Sequence, residues 1–415
     1  MSIQELIEYR GFQSETHFIE SADGYRLQTV RIINPHFQKR KQQQLKPVLL
    51  YHGYQCSGSM WIIATSGVLQ ANGTYFEENV HREDPGATGN TLGFVLAAAG
   101  YDVWLANSRG NIYSTNHSRL DPAEQEFWNF SADEIIKYDM PALIDYIRST
   151  TKSPTVGYIG HSQGNLVMFG LLASQPKYNQ LVKPFIGISP VGFFVEFNIP
   201  VIKHLETYRN YLPKLFPRNI LSGATRWTGG SRWCTLPLVN EYICYLIYYG
   251  LMGSPKEQVD LRRLPIYVDN VMHGSSTRNF VHLLQHRTSL VYYDYGDAEV
   301  NQRHYNQTYP PHYDYSAISN QHMALIYSKN DWFLHLADVQ RLKDSLKVLK
   351  TTADAASAEV NNETQKENHL NNDMESYLEQ MDTPEGKFAE LTDDDESPPP
   401  STTTTTTTPS PSSDD

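Results

Sequence analysis

The segment Gly160-His161-Ser162-Gln163-Gly164 places a serine between two glycines. A serine hydroxyl is a weak nucleophile at neutral pH, so it does chemistry only where a neighbouring base can take its proton. The residues before the segment, TVGYI, are typical of a buried strand, and those after it, NLVMFGLLA, predict a helix. A strand, a tight turn and a helix around G-x-S-x-G are typical of an exposed serine nucleophile. The sequence therefore predicts Ser162 as a nucleophile for acyl transfer, the alternative being a surface turn that matches the pattern by chance.

Acyl transfer through a serine also requires hydrogen-bond donors for the negative oxygen of the tetrahedral intermediate. One donor is commonly the backbone amide after the nucleophile, here that of Gln163, and another comes from the loop after an earlier strand. Tyr54 follows His52-Gly53 at the end of the apolar segment PVLLY, so its amide is predicted to be the second donor. The alternative is an ordinary exit of the chain from a strand.

The remaining requirement is a base and an acid that orients it, in the chain order serine, acid, histidine. Asp331 follows the apolar segment ALIY and a turn, where a carboxylate can reach an imidazole; its alternative role is to cap the next helix. Only His335 and His369 come after Asp331. His335 is predicted inside that helix and too close to Asp331 to reach the serine, which leaves His369 as the candidate base.

Strands and helices alternate around these residues. HFIESADGYRLQTVRI predicts two strands around an Asp-Gly turn, FVLAAAGYDVWLANSRG a helix and a buried strand, and HMALIYSKNDWFLHLADVQRL a strand and a helix. Ser131 is a predicted helix N-cap with Glu134 as its reciprocal partner. The alternation predicts an α/β fold whose mostly parallel sheet carries helices on both faces.

Two segments do not follow this alternation. Residues 191–316 are rich in tyrosine, leucine and proline and show short helical patterns, which predicts a mainly helical cap inserted at the carboxyl edge of the sheet. Residues 1–190 and 317–350 are then the two parts of one core. Residues 351–415 contain two aromatic residues and end in runs of proline, threonine and serine, so this tail is predicted to be disordered.

The charge of the chain lies mainly in that tail. The net charge is −12, but residues 351–415 hold 16 of the 46 acidic side chains and two of the 34 basic ones. The rest is near neutral and has no basic stripe, which argues against nucleic-acid binding. No apolar run reaches the roughly 18 residues of a transmembrane helix, and no secretory signal is read at the N-terminus.

Cysteines and glycosylation motifs bear on the compartment. Cys56, Cys234 and Cys244 lack metal-ligand spacing, and neither a metal nor another cofactor is expected. From the residues alone, the last two cysteines either pair across a short loop or stay free thiols. N-x-[ST] motifs, which suit an exported protein, occur at Asn72, Asn116, Asn129, Asn306 and Asn362.

Six segments occur in the order found in a known family: LLYHGYQCSGSMW, YDVWLANSRGN, FWNFSADEIIKYDMPALIDYI, YIGHSQGN, YDYGDAEVNQRHYNQTYPP and NDWFLHLADVQRL. Together they resemble the acid lipase family of α/β-hydrolases, which includes gastric and lysosomal acid lipases and insect relatives. The resemblance runs from Leu6 to Lys350. It implies an α/β-hydrolase fold, hydrolysis of neutral lipid esters (triacylglycerols or sterol esters) through an acyl-enzyme, transient contact with a lipid interface, and an extracellular or lysosomal location.

The resemblance also assigns roles to residues. It implies that Ser162 is the nucleophile and Asp331 the triad acid, with the amides of Tyr54 and Gln163 as the oxyanion hole. It further implies that Cys234 and Cys244 form the disulfide of the cap.

The base is where this sequence departs from the family. The family histidine follows a strand in a segment resembling Asn-His-x-Asp-Phe; His369 keeps Asn-His-Leu, but polar residues replace its apolar neighbours. One alternative is therefore a catalytically silent lipid-binding homologue with a disrupted triad. A peptidase or thioesterase on the same fold is less favoured, because the Tyr- and Leu-rich insertion suits an apolar acyl chain.

Overall fold

The computed structural model describes residues 1–38, 45–77, 89–193, 205–219, 230–246, 260–270, 272–285, 290–328, 331, 333–346 and 390–392. The strands are β1 Gln13–Glu20, β2 Tyr25–Ile33, β3 Pro47–Tyr51, β4 Gly67–Leu69, β5 Tyr75–Glu77, β6 Asp102–Leu105, β7 Asn116–His117, β8 Val156–His161, β9 Val182–Ile188, β10 Met323–Tyr327 and β11 Glu390–Thr392. The main sheet runs β1-β2-β6-β3-β8-β9-β10-β11, with β7 on β2, while β4 and β5 form a separate pair. The pairs β1/β2, β2/β6 and β2/β7 are antiparallel and the other pairs of the main sheet are parallel, so the predicted mostly parallel sheet is confirmed.

Helices cover both faces of this sheet. The α-helices are Ile3–Tyr9, Pro35–Gln38, Leu92–Ala99, Ala132–Glu134, Met140–Thr151, Gln163–Ser174, Tyr178–Leu181, Leu212–Leu215, Gly230–Trp233, Pro237–Val239, Leu264–Asp269, Thr277–Gln285, Ala298–Tyr305 and Leu336–Ser345. Turns of 3₁₀-helix lie at Gly58–Ile62, Gln125–Trp128, Leu261–Arg263 and Tyr315–Ala317, and turns of π-helix at Ile135–Asp139 and Asn240–Cys244. No helix within the described ranges combines the length and apolarity needed to cross a bilayer.

The strand β3 shows how the sheet separates two cores. All five of its residues are buried, and successive side chains of a strand point to opposite faces. Leu49 and Tyr51 pack with the helices Met140–Thr151 and Gln163–Ser174, whereas Val48 and Leu50 pack with Ile3–Tyr9 and Leu92–Ala99. Burial on both faces explains why the parallel strands read as continuous apolar runs.

Local signals in the sequence fix several helix ends. The Ser131 hydroxyl accepts the Asp133 N–H, and the Glu134 carboxylate accepts the Ser131 N–H at 2.7 Å, so the predicted capping pair is confirmed. Gly100 ends the helix Leu92–Ala99 with φ 99°, a left-handed conformation that glycine adopts at little cost.

A buried ion-pair cluster supports the loop after β6. The Arg109 guanidinium, fully buried, donates to both carboxylates beside it, at 2.7 Å to Asp23 Oδ2 and 2.9 Å to Asp139 Oδ2. Its charged carbon lies 4.0 Å from the centre of the Tyr25 ring. Burial raises the pKa of Asp139 to about 6, while Arg109 opposes that shift. Removing one partner would leave a buried charge unpaired, so this cluster fixes the loop in place.

One part of the predicted disordered tail is an exception. Glu390–Thr392 form β11, with Glu390 opposite Leu325 of β10. Composition argues for disorder because the tail has too few apolar residues for a core of its own. The open edge of β10, however, offers backbone groups that a short segment containing leucine and threonine can pair with. The rest of residues 351–415 lies outside the described residues.

Candidate active site

Ser162 stands at the turn between β8 and the helix Gln163–Ser174, where the sequence predicts it. Its backbone has φ 52° and ψ −116°, and a positive φ is uncommon for a residue other than glycine. Two hydrogen bonds hold the turn: the Ser162 N–H donates to the Ile188 carbonyl at 3.1 Å, and the Asn165 N–H donates to the Ser162 carbonyl at 2.9 Å. Strain of this kind persists only where the surroundings enforce it, and it clusters at functional sites.

The two glycines of the motif are required by crowding. A Cβ atom at Gly160 would lie 2.5 Å from Asn165 Oδ1, and one at Gly164 would lie 2.7 Å from the Tyr51 carbonyl oxygen. The helix can therefore start against β3 only because neither position carries a side chain.

The loop after β3 runs directly against the serine. A Cβ atom at Gly53 would lie 2.8 Å from His161 Nδ1 and 3.2 Å from Ser162 Cβ. The next residue in the sequence is Tyr54, the predicted second donor. Gln163 is the first residue of its helix, and the first N–H groups of a helix have no partner inside it. Both predicted oxyanion donors are therefore sequence neighbours of residues at this turn: Tyr54 follows Gly53, and Gln163 follows Ser162.

Residues between Ser275 and Phe280 contact the side chains of both of these residues. Gln163 Nε2 donates to Asn279 Oδ1 at 2.8 Å, and Asn279 Nδ2 donates to Ser275 Oγ at 2.9 Å. Gln163 is 6% and Asn279 0% exposed, so the paired amides are shielded from water. The ring of Tyr54 stacks on that of Phe280 with 5.6 Å between centroids. The segment Ser275–Phe280 therefore packs against both halves of the predicted oxyanion hole.

The carboxylate of Asp331 is held by three hydrogen bonds. Its Oδ2 accepts the Ser189 hydroxyl at 2.9 Å, and its Oδ1 accepts the N–H groups of Phe333 at 2.9 Å and Leu334 at 3.1 Å. Ser189 follows β9, the strand between β8 and β10. The acid is thus fixed at the carboxyl edge of the sheet, two strands from the serine.

The Asp331 carboxylate acts electrostatically on His161, the residue before the serine. Burial lowers the pKa of His161, and the negative charge of Asp331 opposes that shift. His161 Nδ1 is enclosed and has no hydrogen-bond partner among the residues that the structure describes. An unpartnered ring nitrogen in the field of the acid is the feature of this site that the sequence analysis did not single out.

Of the two histidines after Asp331, the structure describes His335. His335 is not inside the helix as predicted: it is the N-cap of Leu336–Ser345, and its Nδ1 accepts the Ala337 N–H at 3.2 Å. An imidazole nitrogen can replace the usual hydroxyl or carboxylate acceptor at this position, which explains the wrong prediction. Asp331 is therefore not the N-cap of that helix. His369 lies outside the described residues.

Cys234 and Cys244 are joined by a disulfide with an S–S distance of 2.03 Å.

Four glycosylation motifs have an exposed asparagine, at Asn72, Asn116, Asn129 and Asn306, while Asn362 lies outside the described residues. In the described parts of the chain, no group of three histidine, cysteine, aspartate or glutamate side chains is arranged to hold a metal ion.

Comparisons with known proteins identify the family of the chain. Residues 3–65 match the family model of a partial alpha/beta-hydrolase lipase region, and residues 87–232 match that of the alpha/beta hydrolase fold. The chain is 31% identical over 356 residues to human lysosomal acid lipase/cholesteryl ester hydrolase, covering 82% of this chain and 81% of that protein. It is 31% identical over 361 residues to human lipase member J, covering 83% of this chain and 89% of that protein. A solved structure of a soluble variant of monoglyceride lipase from Saccharomyces cerevisiae matches with a TM-score of 0.48 and 14% identity, over 89% of this chain and 97% of that one. With its sequence matched over most of its length, the chain belongs to the acid lipase family of α/β-hydrolases.

Proposed function

We propose that this chain is a lipase that hydrolyses neutral lipid esters, triacylglycerols or sterol esters, through a serine acyl-enzyme. The observation that carries the proposal is the strained Ser162, held at φ 52° with the loop at Gly53 packed against it. The names of the two human relatives support lipid esters as the substrate class and give the catalytically silent alternative no support.

In the proposed reaction, Ser162 Oγ attacks the ester carbonyl carbon while the base takes the hydroxyl proton. The carbonyl oxygen becomes negative and accepts hydrogen bonds from the N–H groups of Tyr54 and Gln163. The intermediate then breaks its bond to the alcohol oxygen, which leaves with the proton from the imidazolium. Water repeats the sequence on the acyl-enzyme, releases the fatty acid and restores the serine.

We assign the base to His369 and the acid that orients it to Asp331. His369 is the only histidine after His335 in the sequence. The three hydrogen bonds to Asp331 fix the carboxylate, which can then select the imidazole tautomer and stabilise the imidazolium.

We further propose that residues 191–316 form a cap over the core built from residues 1–190 and 317–350, and that this cap contacts a lipid surface. Its described part carries large apolar side chains that are more than half exposed: Tyr211, Leu215, Trp233, Leu238, Tyr242, Ile243 and Leu246. Several such residues in one region are more than a soluble surface needs, which suits transient contact with lipid.

The cap proposal is tested by comparing two kinds of substrate. Trp233→Ser and Leu238→Ser should lower hydrolysis of an emulsified triacylglycerol and leave a dissolved short-chain ester unaffected. Tyr9→Ser is the matched control, because Tyr9 is 71% exposed but belongs to the N-terminal helix. Equal effects of all three variants on the emulsion would contradict a specific lipid-binding surface.

An extracellular or lysosomal location is proposed on two grounds. A disulfide between Cys234 and Cys244 suits an oxidising compartment. The exposed asparagines of the four described N-x-[ST] motifs can be reached by a glycosylating enzyme. Glycosidase treatment of the protein from its native source should therefore shift its mass.

The nucleophile is tested with a fluorophosphonate probe. The wild-type protein should be labelled and Ser162→Ala should not, with thermal unfolding of both proteins as the control for folding. A series of esters of increasing chain length, measured beside a peptide amide, then separates a lipase from a peptidase. A folded wild-type protein that takes no label would reject the enzyme.

A further inference from the structure

His52 precedes the loop that carries the predicted oxyanion donor, and its side chain is buried with the residue 3% exposed. The imidazole Nδ1 lies 2.8 Å from the carbonyl oxygen of Gly53. That carbonyl and the Tyr54 N–H belong to one planar peptide unit and point in opposite directions. A hydrogen bond that fixes the carbonyl therefore also fixes the direction of the Tyr54 N–H.

The surroundings of the other ring nitrogen define the tautomer. His52 Nε2 accepts the backbone N–H of Ser108 at 3.0 Å, and Asn111 Nδ2 lies 3.4 Å from the same nitrogen. A backbone N–H can only donate, so Nε2 carries no proton and the proton of the neutral ring is on Nδ1. Burial lowers the pKa of His52 to about 4, which keeps the ring neutral at pH 5 and above. Nδ1 is thus the donor and the Gly53 carbonyl the acceptor.

We propose that His52 is a positioning residue for the oxyanion hole: its Nδ1–H holds the Gly53-Tyr54 peptide so that the Tyr54 N–H faces the oxygen of the substrate carbonyl. The inference rests on the proposed function, in which that N–H is one of the two donors. The Gly53 carbonyl also accepts the Cys56 N–H at 3.2 Å. Two donors on one carbonyl polarise the peptide and strengthen its N–H as a donor.

A pair of variants separates the two ring nitrogens. In His52→Asn the side-chain amide nitrogen reaches the position of Nδ1, whereas in His52→Gln the amide oxygen reaches that of Nε2. His52→Gln should lower kcat about 10- to 100-fold with KM unchanged, somewhat less than the 10²- to 10³-fold loss when an oxyanion donor is removed outright. His52→Asn keeps a donor at the Nδ1 position, although it leaves the Ser108 N–H without its acceptor, and should therefore retain a clearly higher kcat than His52→Gln. Equal losses in both variants would mean that His52 only stabilises the fold.

A second measurement does not need turnover. Nitrogen-15 NMR of labelled histidine should show a protonated Nδ1 and an unprotonated Nε2 for His52, and His52→Gln, unlike His52→Asn, should shift the Tyr54 amide resonance. A proton on Nε2, or an unchanged Tyr54 amide, overturns the inference. Absent labelling of wild-type Ser162 would instead reject the proposed function, so the two failures are distinguishable.

Discussion

Replacing Gly53 by alanine tests whether the loop after β3 and the serine form one catalytic unit. The added Cβ would lie 2.8 Å from His161 Nδ1, about 0.6 Å short of the 3.4 Å at which ordinary contact begins. It would also crowd Ser162 Cβ at 3.2 Å. Because the His161 ring nitrogen is enclosed, the loop and the serine have to move apart by roughly half an ångström.

A misplacement of about 1 Å in an active site can cost about 100-fold in rate. Scaled to the 0.6 Å shortfall, Gly53→Ala should lower kcat roughly 10- to 30-fold. The KM for a dissolved short-chain ester should hardly change, because the loss lies in the transition state. The assay is the steady-state hydrolysis of such an ester, with urea unfolding measured in parallel.

Gly58→Ala is the matched control. A Cβ at Gly58 would be crowded to a similar degree, at 3.0 Å from Leu105 Cβ and 3.1 Å from the Ala106 carbonyl oxygen, but these atoms lie at the end of β6. The control should therefore lose stability and keep kcat. A wild-type kcat in Gly53→Ala, or the same loss in both variants, would refute the reasoning.

Three further outcomes are expected. His369→Ala should lower kcat about 10⁴- to 10⁶-fold in ester hydrolysis, as loss of a triad member does, while His335→Ala should stay near wild type. Asn279→Ala leaves buried Gln163 Nε2 without its acceptor and should lower the free energy of unfolding in urea by about 1–3 kcal/mol, whereas an unchanged value would show that the pair is not coupled. In the folded protein the pKa of His52 is about 4, below the ordinary value of 6.5. Between pH 6.5 and pH 4 the unfolded chain therefore binds more protons than the folded protein does, and the free energy of unfolding falls as the pH drops through that range. His52→Asn should remove about 3 kcal/mol of that pH dependence, measured by urea unfolding at pH 4 and pH 7.

The parts of the site that the sequence predicts are those whose chemistry constrains a short stretch of chain. The turn at Ser162 requires glycine two residues before and two residues after the serine, so the G-x-S-x-G motif predicts it directly. The loop at Tyr54 and the turn at Asp331 follow apolar strands, and parallel strands deliver the residues after them to one edge of the sheet. Each of these signals is local.

Contacts between distant segments had no such signal. Asn279 bonds to Gln163 across 116 residues, and an asparagine on an amphipathic helix looks like any polar surface residue. The β11 pairing depends on an open strand edge elsewhere in the fold, which the composition of the tail does not report. The prediction that His335 lies inside the helix is wrong for a related reason. Whether a histidine caps a helix or continues it depends on the direction of its ring nitrogen, which the sequence does not report.

The order of the strands sets which positions the proposed base has to reach. Ser162 follows β8 and Asp331 follows β10, and β11 continues the sheet beyond β10. In sequence, the proposed base His369 lies between the helix Leu336–Ser345 and β11. If His369→Ala keeps the wild-type kcat, the assignment of the base to His369 is wrong.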